Sequence, residues 1–312
     1  MATKPHHFRG YLYIATATLL WGMAASLGRA AFTGRLLGGS LQNIDPLILS
    51  QSRTTFSFLL FLPVLILQRG AGRLRLPPLD LGRMFLLGVL GVAASNYFYY
   101  LAIQRTNVAT AIVVQYTAPV WVLLYMVIRG RQKAALRRIS AVAFAVLGIA
   151  IFIGLGSDKF RVDLIGVIAA TLAAFSFAFY NIGGHNLMAR HDHWLVLLYT
   201  TLGASLFWLI INPPWKVAPY SPAQWLFLLV FAIVSMLLPF SFYFAGLKYL
   251  EPTKAIVVSC LEPVFSIVIA AITLGELMRP GQILGIVLVL GAILVVQLPD
   301  RENPEVIVEP IE

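Results

Sequence analysis

The chain has 312 residues, 59% of them hydrophobic and 12% charged, with a formal net charge of +10 from 23 Lys and Arg against 13 Asp and Glu. Soluble globular domains carry about 25% charged residues, so a soluble protein is excluded and the chain reads as an all-α polytopic membrane protein. The basic excess is that of short cytoplasmic loops rather than of a nucleic-acid interface, and the lone Cys260 leaves no intramolecular disulfide.

A span needs about 20 predominantly apolar residues, and the apolar runs break at charged or Pro/Gly clusters. Lys4, His6, His7 and Arg9 lead straight into the run 10–32, which reads as an uncleaved first span and carries Trp21. Span 2, 45–67, holds Arg53 beside Gln51, Ser52, Thr54 and Thr55. Arg53 is too deep to snorkel easily, so it serves a substrate carboxylate or a neighbouring helix. Span 3, 81–103, aligns Asn96, Tyr99 and Tyr100, and its Gly88 and Gly91 allow close helix contact. Span 4, 106–128, places Thr110, Val114, Thr117, Trp121 and Tyr125 on one stripe, with Gln115 beside it and Pro119 as a kink. After span 5, 136–155, span 6 covers 162–186, with Phe175, Phe179 and Tyr180 near its middle and Gly183 and Gly184 beyond. Spans 7 and 8 are 194–212 and 222–246, the latter interrupted by Pro239. Span 9, 251–273, starts with Lys254, where snorkelling to headgroups is the simpler reading. Ser259, Glu262 and Ser266 follow at i, i+3, i+7 on one face, with Pro263 among them. Span 10, 280–298, has Gly281, Gly285 and Gly291, the first two in GxxxG spacing. The tail 299–312 is polar and acidic, and is expected to be disordered.

Ten spans put both termini on one side. With that side cytoplasmic, fourteen basic residues fall in inner segments and seven in outer ones, Arg53 and Lys254 lying within spans; this is the bias of cytoplasmic termini. The halves also resemble each other. Thr110 to Trp121 reads TAIVVQYTAPVW, and 144 positions later Lys254 to Phe265 reads KAIVVSCLEPVF; FYY at 98–100 pairs with FYF at 242–244 at the same offset. The chain therefore divides into repeats 8–156 and 161–298. Each has an odd five spans, so the second enters the membrane from the opposite side, giving two five-helix inverted-topology repeats around a central cavity.

The Trp21-Gly22 pair, the Pro119 and Pro263 motifs, and the strings Leu261-Glu262-Pro263-Val264 and Leu274-Gly275-Glu276 together resemble the drug/metabolite transporter superfamily, specifically its EamA-domain branch. Within that branch the chain is similar to YddG-type aromatic amino acid exporters of bacterial inner membranes. The resemblance covers roughly residues 8–298. It implies ten helices in two inverted repeats, an inner-membrane location and export of a small molecule, with the fifth and tenth spans packing outside the transport path. One departure stands out: the Gly-Glu pair before span 10 has no counterpart before span 5, where 129–133 reads RGRQK.

Polar groups within spans are costly in hydrocarbon and face the bundle interior or a wet cavity. The expected substrate-binding set is therefore Trp21, Asn96, Tyr99, Tyr100, Gln115, Trp121, Phe179, Tyr180, Ser259, Glu262 and Ser266. Glu262 would pair with a substrate ammonium, carry a proton, or serve as a structural hydrogen bond between helices, while mid-span rings stack on flat side chains and cations. Pro119, Pro239 and Pro263 are the expected hinges. The expected substrates are aromatic amino acids and related amphipathic molecules. Transport would draw on a substrate or ion gradient, since the sequence holds no nucleotide-binding loop, and neither a metal nor a cofactor is implied. An exchanger of anionic metabolites such as sugar phosphates would need several cavity cations. An intramembrane enzyme would need a nucleophile and base from His185 with Ser176, or Cys260 with Glu262, and no motif assembles them.

Overall fold

The computed structural model describes residues 7–34, 44–129, 136–153, 163–213, 215, 220–247, 249, 258–259 and 261–297, which are mostly helical with no strand among them. Lys254, Cys260 and the tail from 298 onward lie outside the described residues.

The helices are α1 (His7–Phe32), α2 (Pro46–Arg69), α3 (Pro78–Arg105), α4 (Val108–Gln115), α5 (Ala118–Ile128), α6 (Leu136–Ile153), α7 (Leu164–Met188), α8 (His193–Ile211), α9 (222–247), α10 (Leu261–Leu274) and α11 (Pro280–Gln297). Among the described residues seven segments are long and apolar enough to cross a membrane, α4 and α5 together forming one of them. Three shorter apolar helices, Ile139–Phe152, Leu261–Leu274 and Pro280–Ala292, accompany them.

Local chemistry sets the starts of these helices. Asp45 accepts from the Leu47 N–H at 2.7 Å, Asn107 from Thr110 N–H at 2.7 Å and Asp192 from Trp194 N–H at 2.9 Å. Each satisfies an amide that the first turn leaves without a partner. Ser221 and Gln224 form a reciprocal capping box, with Pro222 in the first turn. Gly275, at φ +68°, ends α10; its N–H returns to the Ala271 carbonyl and that of Glu276 to Ala270. Only glycine takes this conformation cheaply, and the turn aims Glu276 back at the bundle.

Two helices are not regular. Leu87–Ala93 of α3 and Ile233–Leu237 of α9 are π-helical, a wider winding found mostly as single turns, often at functional sites. α8 packs on the first π segment and α2 on the second. α1 packs against α9 and α10, whereas α7 packs against α3 and the α4–α5 pair. α2 lies beside α8, and α6 beside α11.

Glycines mark the closest approaches. A Cβ on Gly88 would stand 2.3 Å from the Thr200 carbonyl oxygen and 2.9 Å from the Ala204 nitrogen, both backbone atoms of α8. We expect Gly88→Ala to cost about 1–3 kcal/mol, read as a lower melting temperature in detergent. Gly281→Ala, with nothing within 4 Å, should be neutral; equal melting temperatures for the two variants would refute this packing. The GxxxG spacing of α11 does not mark its contact. Gly285 meets Gly148 and Phe152 of α6, while Gly281 and Gly291 face open space, so one glycine on each helix makes the approach.

Candidate transport site

The fourth apolar segment is broken in its middle. α4 ends at Gln115, α5 starts at Ala118, and Tyr116 and Thr117 lie between them. The cause is Pro119, which has no N–H to give to the Gln115 carbonyl four residues back. At the break the Tyr116 hydroxyl donates to Glu262 Oε2 at 2.7 Å, with the Ser259 carbonyl at 3.3 Å. Ser259 is also bonded to the side chain of Tyr243 on α9. A broken segment thus presents a phenol to the one acid of α10, the arrangement by which discontinuous helices build sites at mid-depth.

Arg53 of α2 approaches from another side. Its Nη1 donates to Asn96 Oδ1 at 2.7 Å and to the Tyr100 hydroxyl at 3.3 Å, and its Nη2 donates to the Ser235 carbonyl at 2.7 Å. That carbonyl belongs to the π segment of α9. It is also four residues before Pro239, which brings no N–H to it. The guanidinium therefore satisfies an acceptor that the proline leaves open. Among the described residues no carboxylate lies within ion-pair distance of Arg53. Tyr99 sits within electrostatic reach of both Glu262 and Arg53, and its buried hydroxyl has no hydrogen-bond partner in the structure.

The remaining expected residues divide into those near this cluster and those in the helix packing around it. Trp21 stands edge-on to Phe240 at 5.3 Å and beside Tyr243 at 5.8 Å, which links it through Tyr243 to Ser259. Trp121 donates to Thr117 Oγ1 at 3.2 Å and lies 4.3 Å from the Phe175 ring. Phe179 is 39% exposed on the same helix as Phe175. Tyr100 is fully buried against Phe231 and Phe32. Gln115 donates to Ser95 Oγ at 3.3 Å, tying α4 to α3. Tyr180 stacks on Phe177 and covers Gly91. Ser266 is fully buried where α10 meets Gly22 of α1. Pro239 and Pro263 are buried. A cavity of about 210 Å³ opens between α1 and α10, lined by Met23, Ser26, Leu27, Ala30, Ile269, Thr273 and Leu274; Glu262 is not part of its wall.

Each end of the bundle carries an ionic cluster. At one end Arg29 Nε pairs with Glu276 Oε1 at 2.9 Å, and Arg29 Nη1 donates to the Ile103 and Gln104 carbonyls at 2.7 and 2.9 Å. Glu276 Oε2 accepts from the Val108 N–H at 3.1 Å. One carboxylate and one guanidinium thus close the end of α3, the start of α4 and the turn after α10. At the opposite end Arg69 pairs with Asp192 at 2.8 Å, and Asp80 with His191 at 2.8 Å. Burial works against charge on Asp192, but hydrogen bonds from Arg69 and the Trp194 N–H outweigh it and hold the carboxyl below its usual range.

Tyr116 is one of the mid-span aromatics that the sequence offers for an inward-facing pocket, though outside the expected substrate-binding set; it precedes Pro119 by three residues, inside the turn that the proline opens. Arg29 and the Ser235 carbonyl carry no local signal.

An apolar helical bundle with a broken segment and a half-buried carboxyl and guanidinium inside it fits a transporter, and comparison with known proteins decides the family. Residues 8–154 and 164–298 match the EamA-like transporter family. The chain belongs to that family. An uncharacterised transporter of Archaeoglobus fulgidus is 25% identical to this EamA-like protein over 92% of the chain and 97% of its own length. The inner membrane transporter YicL of Salmonella typhimurium is 22% identical over 95% and 97%. The threonine/homoserine exporter RhtA of Escherichia coli K12 is 29% identical over 66% of each chain. A crystal structure sharing 19% identity superposes with a TM-score of 0.59 over 92% of this chain and 95% of that one, which shows a common fold. This EamA-like protein is a multi-pass membrane transporter in the EamA branch of the drug/metabolite transporters.

Proposed function

We propose that this protein exports aromatic amino acids and related amphipathic molecules across a bacterial inner membrane by alternating access, with both termini cytoplasmic. The observation that carries the reading is Glu262, held by Tyr116 at the broken segment and within electrostatic reach of Tyr99 and Tyr100. A carboxylate there receives an ammonium, and rings beside it stack on a flat side chain. That RhtA relatives export threonine and homoserine supports an amino acid as cargo.

The ten apolar segments form two repeats, 8–156 and 161–298, of inverted topology. Exchanging α1 with α7, α2 with α8, α3 with α9, the α4–α5 pair with α10, and α6 with α11 maps the principal pairings, α1 with α9 and α10, α7 with α3 and α4–α5, α2 with α8, and α6 with α11, onto themselves, and the π segments sit in exchanged partners. Pro119, Pro239 and Pro263 are the points about which half-helices rock. The Arg29–Glu276 cluster is the outer seal and Arg69–Asp192 the inner, and the two part in turn.

Counterflow in proteoliposomes tests the substrate. Tryptophan and phenylalanine should compete with labelled tryptophan at least about tenfold more strongly than threonine or homoserine, which corresponds to about 1.4 kcal/mol, and glucose 6-phosphate should not compete. Stronger competition by threonine would replace the aromatic preference with an aliphatic one. Competition by the sugar phosphate alone would overturn the amino acid reading.

A further inference from the structure

Arg53 presents an arrangement that helix packing alone does not require. A guanidinium has five N–H donors; three are engaged, with Asn96, Tyr100 and the Ser235 carbonyl. All three acceptors are neutral, the Tyr100 ring offers its face 5.9 Å from Cζ, and no carboxylate among the described residues pairs with the positive charge inside an apolar bundle, where an unpaired charge is costly. Its Nε is buried with no partner. Glu262, which feels its charge, is engaged instead by the Tyr116 hydroxyl. In a low dielectric, opposite charges close on each other unless each is tethered. Here both are tethered, Arg53 by α3 and α9 and Glu262 by the break between α4 and α5. Tyr99, within electrostatic reach of both, has a buried hydroxyl without a hydrogen-bond partner.

Two separated poles of opposite sign with open hydrogen-bonding capacity fit a ligand that carries both signs. A carboxylate takes two N–H donors from a guanidinium, the number left on Arg53. We infer that Arg53 is the carboxylate-recognising residue of the transport site and selects zwitterionic α-amino acids over the corresponding amines. This rests on the reading of Glu262 as the ammonium partner. The Ser235 carbonyl, exposed by Pro239, acts as a positioning group that holds the guanidinium in place.

The test compares an amino acid with its decarboxylated amine in proteoliposome counterflow, using tryptophan with tryptamine and threonine with 1-amino-2-propanol. In Arg53→Gln, amino acid counterflow should fall about tenfold or more, the loss expected for a charge-assisted pair, while counterflow of the amine stays within about twofold of the unmodified protein. Asn96→Asp provides a second variant that keeps the guanidinium and its ties to α9 but supplies a competing carboxylate at the same position; it should show the same split. Equal losses for amino acid and amine, in both variants, would reduce Arg53 to a structural tie and overturn the inference, as would undiminished amino acid counterflow. Failure of the aromatic reading looks different: tryptophan and tryptamine are then not carried by the unmodified protein, and the threonine pair reads the split.

Discussion

Glu262→Gln should lower tryptophan counterflow about 10- to 100-fold with little change in melting temperature. The glutamine is isosteric and its amide oxygen still accepts from the Tyr116 hydroxyl, which lies 2.7 Å from Glu262 Oε2; what is lost is the negative charge. A charge-assisted hydrogen bond to a substrate ammonium contributes about 1.5–3 kcal/mol, and each 1.4 kcal/mol is about tenfold. A purely structural glutamate predicts the opposite pattern, lower stability and near-normal turnover per folded molecule. Tyr116→Phe adds a second reading of the same site: the carboxylate keeps its charge but loses its tether, so apparent affinity should weaken while the charge requirement remains. Full counterflow in Glu262→Gln would remove the acid from the transport path. Proton coupling is a separate property, and equal transport with and without a proton gradient would exclude it while leaving the ammonium contact intact.

The second large effect is expected at the Arg29–Glu276 cluster. Both side chains are about one-fifth exposed, between a surface pair of little value and a buried one whose rupture costs about 3–5 kcal/mol. Glu276→Ala removes the ion pair and the acceptor for the Val108 N–H together, and leaves Arg29 with only carbonyl partners. We expect a loss of about 2 kcal/mol, or a melting temperature lower by roughly 4–8 °C in detergent. Glu276→Gln retains an acceptor for Val108 and should fall between. If the cluster is also the outer seal, Glu276→Ala should make a cysteine introduced at Ile269 more reactive to a membrane-impermeant thiol reagent applied from outside, in the Cys260→Ala background. An unchanged melting temperature would show the cluster to be incidental, and unchanged labelling would show that it does not gate.

The departure between the halves gains a physical meaning here. Gly275 turns the chain so that Glu276 reaches Arg29 and the Val108 N–H, and Arg29 in turn holds the end of α3. The matching stretch before span 5 reads RGRQK, with a basic run where the second half has its acid. At the opposite end of the bundle the pairs observed are Arg69 with Asp192 and Asp80 with His191.

Much of the architecture was legible from residue order. Apolar run length marks the spans, because hydrocarbon admits few charges and requires every backbone group to be bonded within its own helix. The same rule flags Arg53 and Glu262, since a polar residue kept in an apolar span is seldom idle. Pro119 announces a break wherever it sits, for it lacks an N–H. Three features were not legible. Arg53 reaches a carbonyl 182 positions away, Glu276 an arginine 247 positions away, and the π segments have no composition that separates them from ordinary helix. Gly88 and Gly281 look alike in sequence, yet one faces the backbone of α8 and the other faces open space. Hydropathy and proline act within a few residues of themselves, so they are written locally. Which helix lies against which, and hence which buried donor meets which acceptor, depends on how whole surfaces fit, and no single stretch of chain carries that information.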